Sequence, residues 1–173
     1  MRRLGIDPGR RRIGLALTDE EGRLALPLRT LETAGRPKAA ADEIALEVER
    51  SGIEEIVIGL PLNLDGTEGD ASRRARAFGA LVAARVEVPI SFWDERLTTA
   101  MAERSLAAMG LDGRARRKVV DQSAAALLLQ SYVDAKTEAS WLGDRMDADA
   151  LPAIEPPARP RGRGRARGRG RVR

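Results

Sequence analysis

The sequence predicts an α/β fold in which helices flank a mixed five-stranded sheet. Two observations carry this prediction. Residues 3–32 read as three strands joined by short turns, and the chain then alternates between helical and strand patterns as far as residue 135. Consecutive strands with short links favour an antiparallel meander, whereas strands separated by helices favour parallel pairing. The sheet should therefore combine a three-strand antiparallel meander with two parallel strands.

The first three strands are predicted from alternating polarity and from turn residues. They fall at residues 3–7, 12–18 and 23–32. The first ends at Pro8-Gly9, which is a turn signal. Pro27 lies inside the third strand and indicates an irregularity or an exposed edge, because proline cannot donate a hydrogen bond to a sheet.

The remaining elements are predicted from a change to helical periodicity. Pro37 can open a helix and Gly52 can end it, while the wholly apolar run at 56–60 is typical of a strand buried on both faces. The later elements are a helix at 67–85, a strand at 88–93, a helix at 99–109, a Gly- and Arg-rich loop at 110–118 and a helix at 119–135.

Composition limits the possible chemistry. The chain has no Cys and no His, which excludes disulfides, thiolate nucleophiles, imidazole bases and Cys/His zinc sites. No apolar run approaches the ~20 residues that a membrane span needs. Asp7 and the basic run at 10–12 interrupt the N-terminal apolar region too early for a secretory signal, so we expect a cytoplasmic protein.

The charge is distributed unevenly. The net charge is +4, yet residues 159–173 contain eight Arg and no acid, so the rest of the chain is acidic. We expect a folded domain at 1–137, a weakly structured extension at 138–158 and a disordered Arg/Gly-rich tail at 159–173. Such an asymmetry indicates a tail that faces nucleic acid.

Four acids stand at predicted element ends. Asp7 closes the first strand, Asp94 and Glu95 close the fifth, and Asp121 opens the last helix. Each could simply be a turn residue or a first-turn acid that interacts with the helix dipole. Adjacent strand residues point to opposite faces, so only one of the pair at 94 and 95 can join Asp7.

Together, acids from three remote parts of the chain could form a metal site. Clustered carboxylates repel one another and favour a hard cation such as Mg²⁺ or Mn²⁺ between them. Two such ions ~4 Å apart can activate water and stabilise the leaving oxygen of a phosphodiester.

Four sequence blocks resemble those of the YqgF/RuvX family in the same order. They are LGIDPGRRRIGLALTD (4–19), VIGLPLNLDGT (57–67), WDERLTT (93–99) with Ala102-Glu103 after it, and KVVDQSAA (118–125) leading to LQSYVD (129–134). The family is described as nucleases of precursor 16S rRNA related to the RuvC Holliday-junction resolvase. The Gly-x-Asp-x-Gly strand end alone also opens sugar kinases and actin-like ATPases, so the four blocks together carry the specificity. The resemblance covers about residues 3–135.

The resemblance implies a ribonuclease-H-like fold and a metal-dependent nuclease. Its metal-binding and catalytic acids would be Asp7, Glu95 and Asp121, with Asp94 the less certain member of its pair. The family's usual Lys stands as Arg11 here, which preserves the charge. It also implies a role in 5′-end maturation of precursor 16S rRNA, with resolution of DNA junctions as the alternative. The tail lies outside the resemblance.

Several polar residues beside these acids are candidates for nucleic-acid contact. Basic side chains could bind phosphates, which positions a strand without reading its sequence; the alternative is a solvated turn. Asn63 could bind substrate or cap its loop. The loop at 110–118 could form a mobile basic flap. The candidates are Arg10, Arg11, Arg12, Asn63, Arg114, Arg116, Arg117 and Lys118.

Two other function classes remain open. The chain could be a catalytically silent module that binds RNA or ribosomal particles. It could also be part of a nucleotide-binding ATPase, although a second Gly-x-Asp-x-Gly block is missing. The substrate could be precursor rRNA or structured DNA, and the protein could act as a monomer or a homodimer.

Overall fold

The computed structural model describes residues 1–33, 35–96 and 124–143, with side chains as far as residue 138. Within these ranges the strands are β1 (Arg3–Pro8), β2 (Arg12–Thr18), β3 (Ala25–Glu32), β4 (Glu55–Leu60) and β5 (Ile90–Asp94). The helices in the same ranges are α1 (Pro37–Ser51), α2 (Asp70–Ala83) and α3 (Ala124–Gly143).

The sheet has the strand order β3-β2-β1-β4-β5. Strands β3, β2 and β1 pair antiparallel, and β4 pairs parallel with both β1 and β5. This topology confirms the predicted meander with two added parallel strands. β3 lies at one edge of the sheet, and its pairing with β2 slips between Leu15 and Ala16, where Ala16 faces Pro27. Pro27 therefore lies next to an irregularity and on an edge strand, the two features that the sequence indicates.

Parallel pairing brings three strand ends to one edge of the sheet. Because β1, β4 and β5 run in the same direction, their C-terminal ends share that edge. Asp7 lies near the end of β1 and Asp94 is the last residue of β5. The topology therefore brings the first and third sequence blocks to the same end of the sheet, with β4 of the second block between them.

Both faces of the sheet are covered. On one face, Ile6, Ile58 and Phe92 pack with residues of α1 and α2, including Ile44 and Val82. On the other face, Ala16, Val57 and Trp93 pack with α3 through Ala125, Leu128, Leu129 and Tyr132. All six residues of β4 are buried, as expected for a strand covered on both sides.

Helix α1 follows the sequence signals, whereas α2 begins later than predicted. Pro37 stands in the first turn of α1, and Gly52 ends the helix in the left-handed conformation at φ 61°. α2 begins at Asp70 rather than at residue 67. The cause is a closed loop in which Asn63 N–H donates to Thr67 O at 2.9 Å, so Thr67 belongs to a turn.

Helix α3 continues to Gly143, eight residues beyond the predicted end at 135. Residues 136–142 contain neither Gly nor Pro, so nothing local stops the helix before Gly143. None of the helices in the described ranges has the length and apolarity to span a bilayer. The predicted helix at 99–109, the loop at 110–118, the start of the last helix at 119 and the tail at 159–173 lie outside the described residues.

Candidate active site

Asp7 lies on the face of β1 that α3 covers. Strand alternation places it on the same side as Gly5, where an added Cβ would lie 2.7 Å from the Leu129 Cβ. Asp7 pairs with Gly14 of β2, and that glycine leaves room for Ala125 of α3. The side chain is partly buried, and burial raises the pKa of the Asp7 carboxyl.

Glu95 follows β5 directly and lies over β4. An added Cβ on Gly59 would lie 2.5 Å from Glu95 Oε1 and 2.6 Å from Leu128 Cδ1. The missing side chain at Gly59 therefore makes room for both the carboxylate and the helix side chain. Burial, together with the negative charges of Asp7 and Asp94, raises the pKa of Glu95 to about 7. The structure thus brings Glu95 into the electrostatic field of Asp7.

Asp94 is held by a different partner. Its carboxylate accepts hydrogen bonds from Arg96 Nε at 3.0 Å and from Arg96 Nη2 at 2.6 Å. Burial alone would raise the pKa of Asp94, but the hydrogen bonds and charge of Arg96 outweigh burial and lower it. Arg96 Nη1 also donates to the carbonyls of Asn63 and Leu64, which ties the β4–α2 loop to the end of β5. Asp94 therefore forms an ion pair with Arg96, whereas Glu95 forms no ion pair with the described residues.

Asp121 lies outside the described residues, so the structure does not place the third predicted acid. Within the described ranges, no group of three or more Asp and Glu side chains is arranged to hold a metal ion. The full ligand set of Asp7, Glu95 and Asp121 stays a prediction.

The two carboxylates that are described fit a divalent cation. Both have raised pKa values, which means that their negative charges are poorly compensated by the surrounding protein. A cation between them would remove this penalty, and carboxylate oxygens are the ligands that Mg²⁺ and Mn²⁺ prefer. The donor chemistry at this edge of the sheet is therefore that of a hard-metal site.

The basic turn between β1 and β2 adjoins Asp7. Arg10, Arg11 and Arg12 line an open cleft of about 590 Å³ together with Gly9 and Glu32. Arg12 pairs with Glu32 at 2.8 Å, while Arg10 and Arg11 are exposed and have no carboxylate partner among the described residues.

The backbone of this turn is anchored to the end of β3. Thr33 N–H donates to Arg11 O at 2.9 Å, and the Thr33 hydroxyl donates to Arg10 O at 3.4 Å. Arg10 and Arg11 therefore belong to an anchored turn that follows the strand carrying Asp7.

The other predicted contact residues have different outcomes. The Asn63 side chain donates from Nδ2 to Thr67 Oγ1 at 2.9 Å. Of the two roles that the sequence leaves open for Asn63, this contact is the loop cap. A substrate contact by Asn63 stays a prediction. Arg114, Arg116, Arg117 and Lys118 lie outside the described residues.

The sequence analysis did not predict that Gly59 takes part in the site. The signal was available, because a glycine inside an apolar strand often marks a close approach by another group. Nothing in the sequence identified Leu128 as the side chain that would lie beside Glu95.

Comparison with known proteins places the chain among bacterial relatives. The family model RuvX, described as Holliday junction resolvase, matches residues 1–135. The chain is 47% identical over 135 residues to a protein of Kineococcus radiotolerans, covering 78% of this chain and 72% of that protein. It is 45% identical over 136 residues to a protein of Moorella thermoacetica, covering 78% and 95% respectively. Both carry the name "Putative pre-16S rRNA nuclease".

Solved structures support the fold. RuvC from Thermus thermophilus in complex with a Holliday junction substrate superimposes with a TM-score of 0.55 at 14% identity, covering 80% of this chain and 96% of that chain. This likeness confirms the predicted ribonuclease-H-like arrangement of the sheet and helices. On the strength of the family match and of relatives above 40% identity, the chain belongs to the RuvX family.

Proposed function

We propose that this protein is a divalent-metal-dependent nuclease that hydrolyses phosphodiester bonds in precursor 16S rRNA. The observation that carries the proposal is the pair formed by Asp7 and Glu95 at the shared strand edge, both with raised pKa values. The family match and the names of the relatives support the reaction class and the RNA substrate.

The acids and the β1–β2 turn would have different roles in the reaction. Asp7, Glu95 and Asp121 would hold the metal, and the bound metal would supply Lewis-acid activation of water and stabilisation of the leaving oxygen. Leu128 Cδ1 and Glu95 Oε1 both lie close over Gly59, so Leu128 would limit water on that side of the carboxylate and strengthen electrostatic interactions within the site. A phosphodiester is the fitting substrate because its own anionic oxygens can complete a cation's ligand shell.

Arg10 and Arg11 would orient the nucleic acid. They are exposed on the anchored β1–β2 turn, and there they would contact phosphates of the bound strand. Contacts of this kind position a strand without selecting a sequence. Arg114, Arg116, Arg117 and Lys118 would add a basic flap, and the Arg-rich tail would add attraction that weakens as salt rises.

A second candidate function is cleavage of branched DNA. The family description and the RuvC neighbour solved with a Holliday junction favour it specifically. Both functions need the same acids, and they differ only in the nucleic acid bound beside them. A module that binds RNA or ribosomal particles in the cytoplasm without cleaving them is the non-catalytic alternative.

The experiment compares cleavage of two substrates by three proteins. Purified wild type, Asp7→Asn and Asp42→Asn are incubated with 5′-extended precursor 16S rRNA or with a four-way DNA junction, with Mg²⁺, Mn²⁺ or EDTA. Asp42 is an exposed acid of α1 that pairs with Arg85, so it controls for loss of one carboxylate.

We expect wild type and Asp42→Asn to cleave the RNA in the presence of metal, and Asp7→Asn or EDTA to abolish cleavage. Cleavage of the DNA junction but not of the RNA would show that branched DNA is the substrate. RNA binding without cleavage under every metal condition would refute the nuclease proposal.

A further inference from the structure

Helix α3 approaches the sheet closely over positions that lack side chains. An added Cβ on Gly5 would lie 2.7 Å from the Leu129 Cβ, and one on Gly59 would lie 2.6 Å from Leu128 Cδ1. Contacts between apolar surfaces are strong in sum but have little directionality. They hold α3 against the sheet without sharply fixing its position along its own axis.

Directional contacts lie further along the same helix. The Tyr132 hydroxyl donates to Glu55 Oε1, and that carboxylate also accepts from Ser91 Oγ at 3.1 Å and, through Oε2, from Arg3 Nε at 2.8 Å. The Glu55 side chain is only 12% exposed. The Glu55 carboxylate of β4 therefore joins Arg3 of β1, Ser91 of β5 and Tyr132 of α3 in one hydrogen-bonded group.

A second directional contact joins α3 to β5. Trp93 Nε1 donates to Ser131 Oγ at 2.7 Å in a buried position, and the Trp93 ring meets the Tyr132 ring edge-on at 5.3 Å between centroids. Trp93 precedes Glu95 by two residues, so this contact ties α3 to the strand that delivers Glu95.

These hydrogen bonds tolerate little movement of the helix. A slip of α3 by one residue would move it ~1.5 Å along its axis. Such a shift exceeds the distance range of a hydrogen bond and would leave the buried Glu55 carboxylate and the Trp93 N–H without their α3 partners. The same shift would move Leu128 away from Glu95. The position of α3 and the shape of the site are therefore coupled.

We propose that Tyr132 and Glu55 are positioning residues of the candidate nuclease site. They fix α3 along the sheet so that Leu128 and Ala125 stand over Glu95 and Asp7. Tyr132 lies seven residues beyond Ala125, which is ~10 Å along a helix, so it acts without touching substrate. The catalytic consequence rests on the proposed nuclease function, whereas the structural consequence does not.

The test removes single polar atoms and follows both rate and structure. Tyr132→Phe keeps the ring and removes only the hydroxyl. Glu55→Ala removes the acceptor, and Glu55→Gln restores an oxygen acceptor of the same length. Val82→Ala is the control, because Val82 is buried in the core on the opposite face. The readouts are kcat and KM for RNA cleavage and, without metal, the ¹H–¹⁵N resonances of Gly5, Gly14 and Gly59.

We expect Tyr132→Phe to lower kcat by about tenfold to hundredfold, the range produced by small misplacements remote from the chemistry, with little change in KM. Glu55→Gln should recover most of the rate lost in Glu55→Ala. The three glycine resonances should shift in Tyr132→Phe and stay in place in Val82→Ala. If Tyr132→Phe does not fold, the comparison of Glu55→Ala with Glu55→Gln decides the proposal by the same readouts, because it breaks and restores the acceptor of the Tyr132 hydroxyl.

Unchanged glycine resonances in Tyr132→Phe would overturn the proposal. A kcat loss no larger than that of Val82→Ala would also overturn it. If wild type proves inactive on RNA and DNA, the nuclease function fails, yet the glycine resonances still decide whether Tyr132 positions α3.

Discussion

Replacement of Glu95 by Gln should change how the stability of the metal-free protein depends on pH. The pKa of Glu95 rises from 4.5 to about 7 on folding, because the carboxyl is buried beside Asp7 and Asp94. A raised carboxyl pKa means that the folded state binds the proton more tightly than the unfolded state does. The folded protein is therefore favoured below pH 4.5 and loses stability as the pH rises from 4.5 towards 7.

The size of the effect follows from the two pKa values. Each pKa unit corresponds to about 1.4 kcal/mol, so the full rise from 4.5 to about 7 would lower the free energy of unfolding by at most about 3 kcal/mol once the pH exceeds 7, and solvent screening of the partly exposed carboxyl reduces this figure. Gln has a similar shape and no charge, so Glu95→Gln should not carry this cost. At pH 8 the variant should be more stable than wild type, and at pH 5 the two should be nearly equal.

Urea unfolding in EDTA at pH 5 and pH 8 measures this difference directly. Glu20→Gln is the matched control, because Glu20 is an exposed acid at the opposite end of the sheet. Added Mg²⁺ should then stabilise wild type more than Glu95→Gln, because a ligand stabilises only the state that binds it. Equal pH dependence in wild type and Glu95→Gln would refute the reasoning, as would a variant less stable than wild type at pH 8.

Three further changes test the packing at Gly59, the basic loop and the Arg-rich tail. Gly59→Ala should lower the free energy of unfolding, measured in urea, by about 1–3 kcal/mol and should slow cleavage, because the added Cβ would lie 2.5 Å from Glu95 Oε1. A variant with the stability and cleavage rate of wild type would contradict the close packing. Alanine at 114 and 116–118 should slow cleavage and leave Mn²⁺ binding by calorimetry intact, whereas unchanged activity and RNA affinity would rule out a basic flap. Deletion of 159–173 removes eight Arg and should flatten the dependence of RNA affinity on salt, as measured by filter binding; an unchanged slope would discard a role for the tail.

The sheet could be predicted from sequence because its signals are local. Turn residues such as Pro8-Gly9 and the apolar run at 56–60 mark strand ends and burial without reference to distant residues. The start of α2 was misplaced because Thr67 is held in a loop by Asn63, and hydrogen bonds within a loop leave little trace in periodicity. The end of α3 was placed too early because weak polar periodicity after residue 135 does not by itself stop a helix.

The site could be predicted only to the level of candidate acids. The sequence places Asp94 and Glu95 at the end of one strand, and alternation requires them to face opposite sides. Which of them approaches Asp7 depends on the register of β5 against β4 and on Arg96, and neither can be read locally.

The contact of Tyr132 with Glu55 was beyond sequence reasoning. It joins residues 77 positions apart, and neither residue lies in a motif that signals pairing. Contacts of this kind depend on how a helix packs against the assembled sheet, which is a property of the tertiary packing.

We propose that Asp7 and Glu95 bind the same divalent cation. Anomalous diffraction from crystals soaked in Mn²⁺ tests it most directly. We expect a manganese peak within coordination distance, ~2.0–2.2 Å, of a carboxylate oxygen of each residue. A peak elsewhere, with both carboxylates bound only to protein or water, would contradict it.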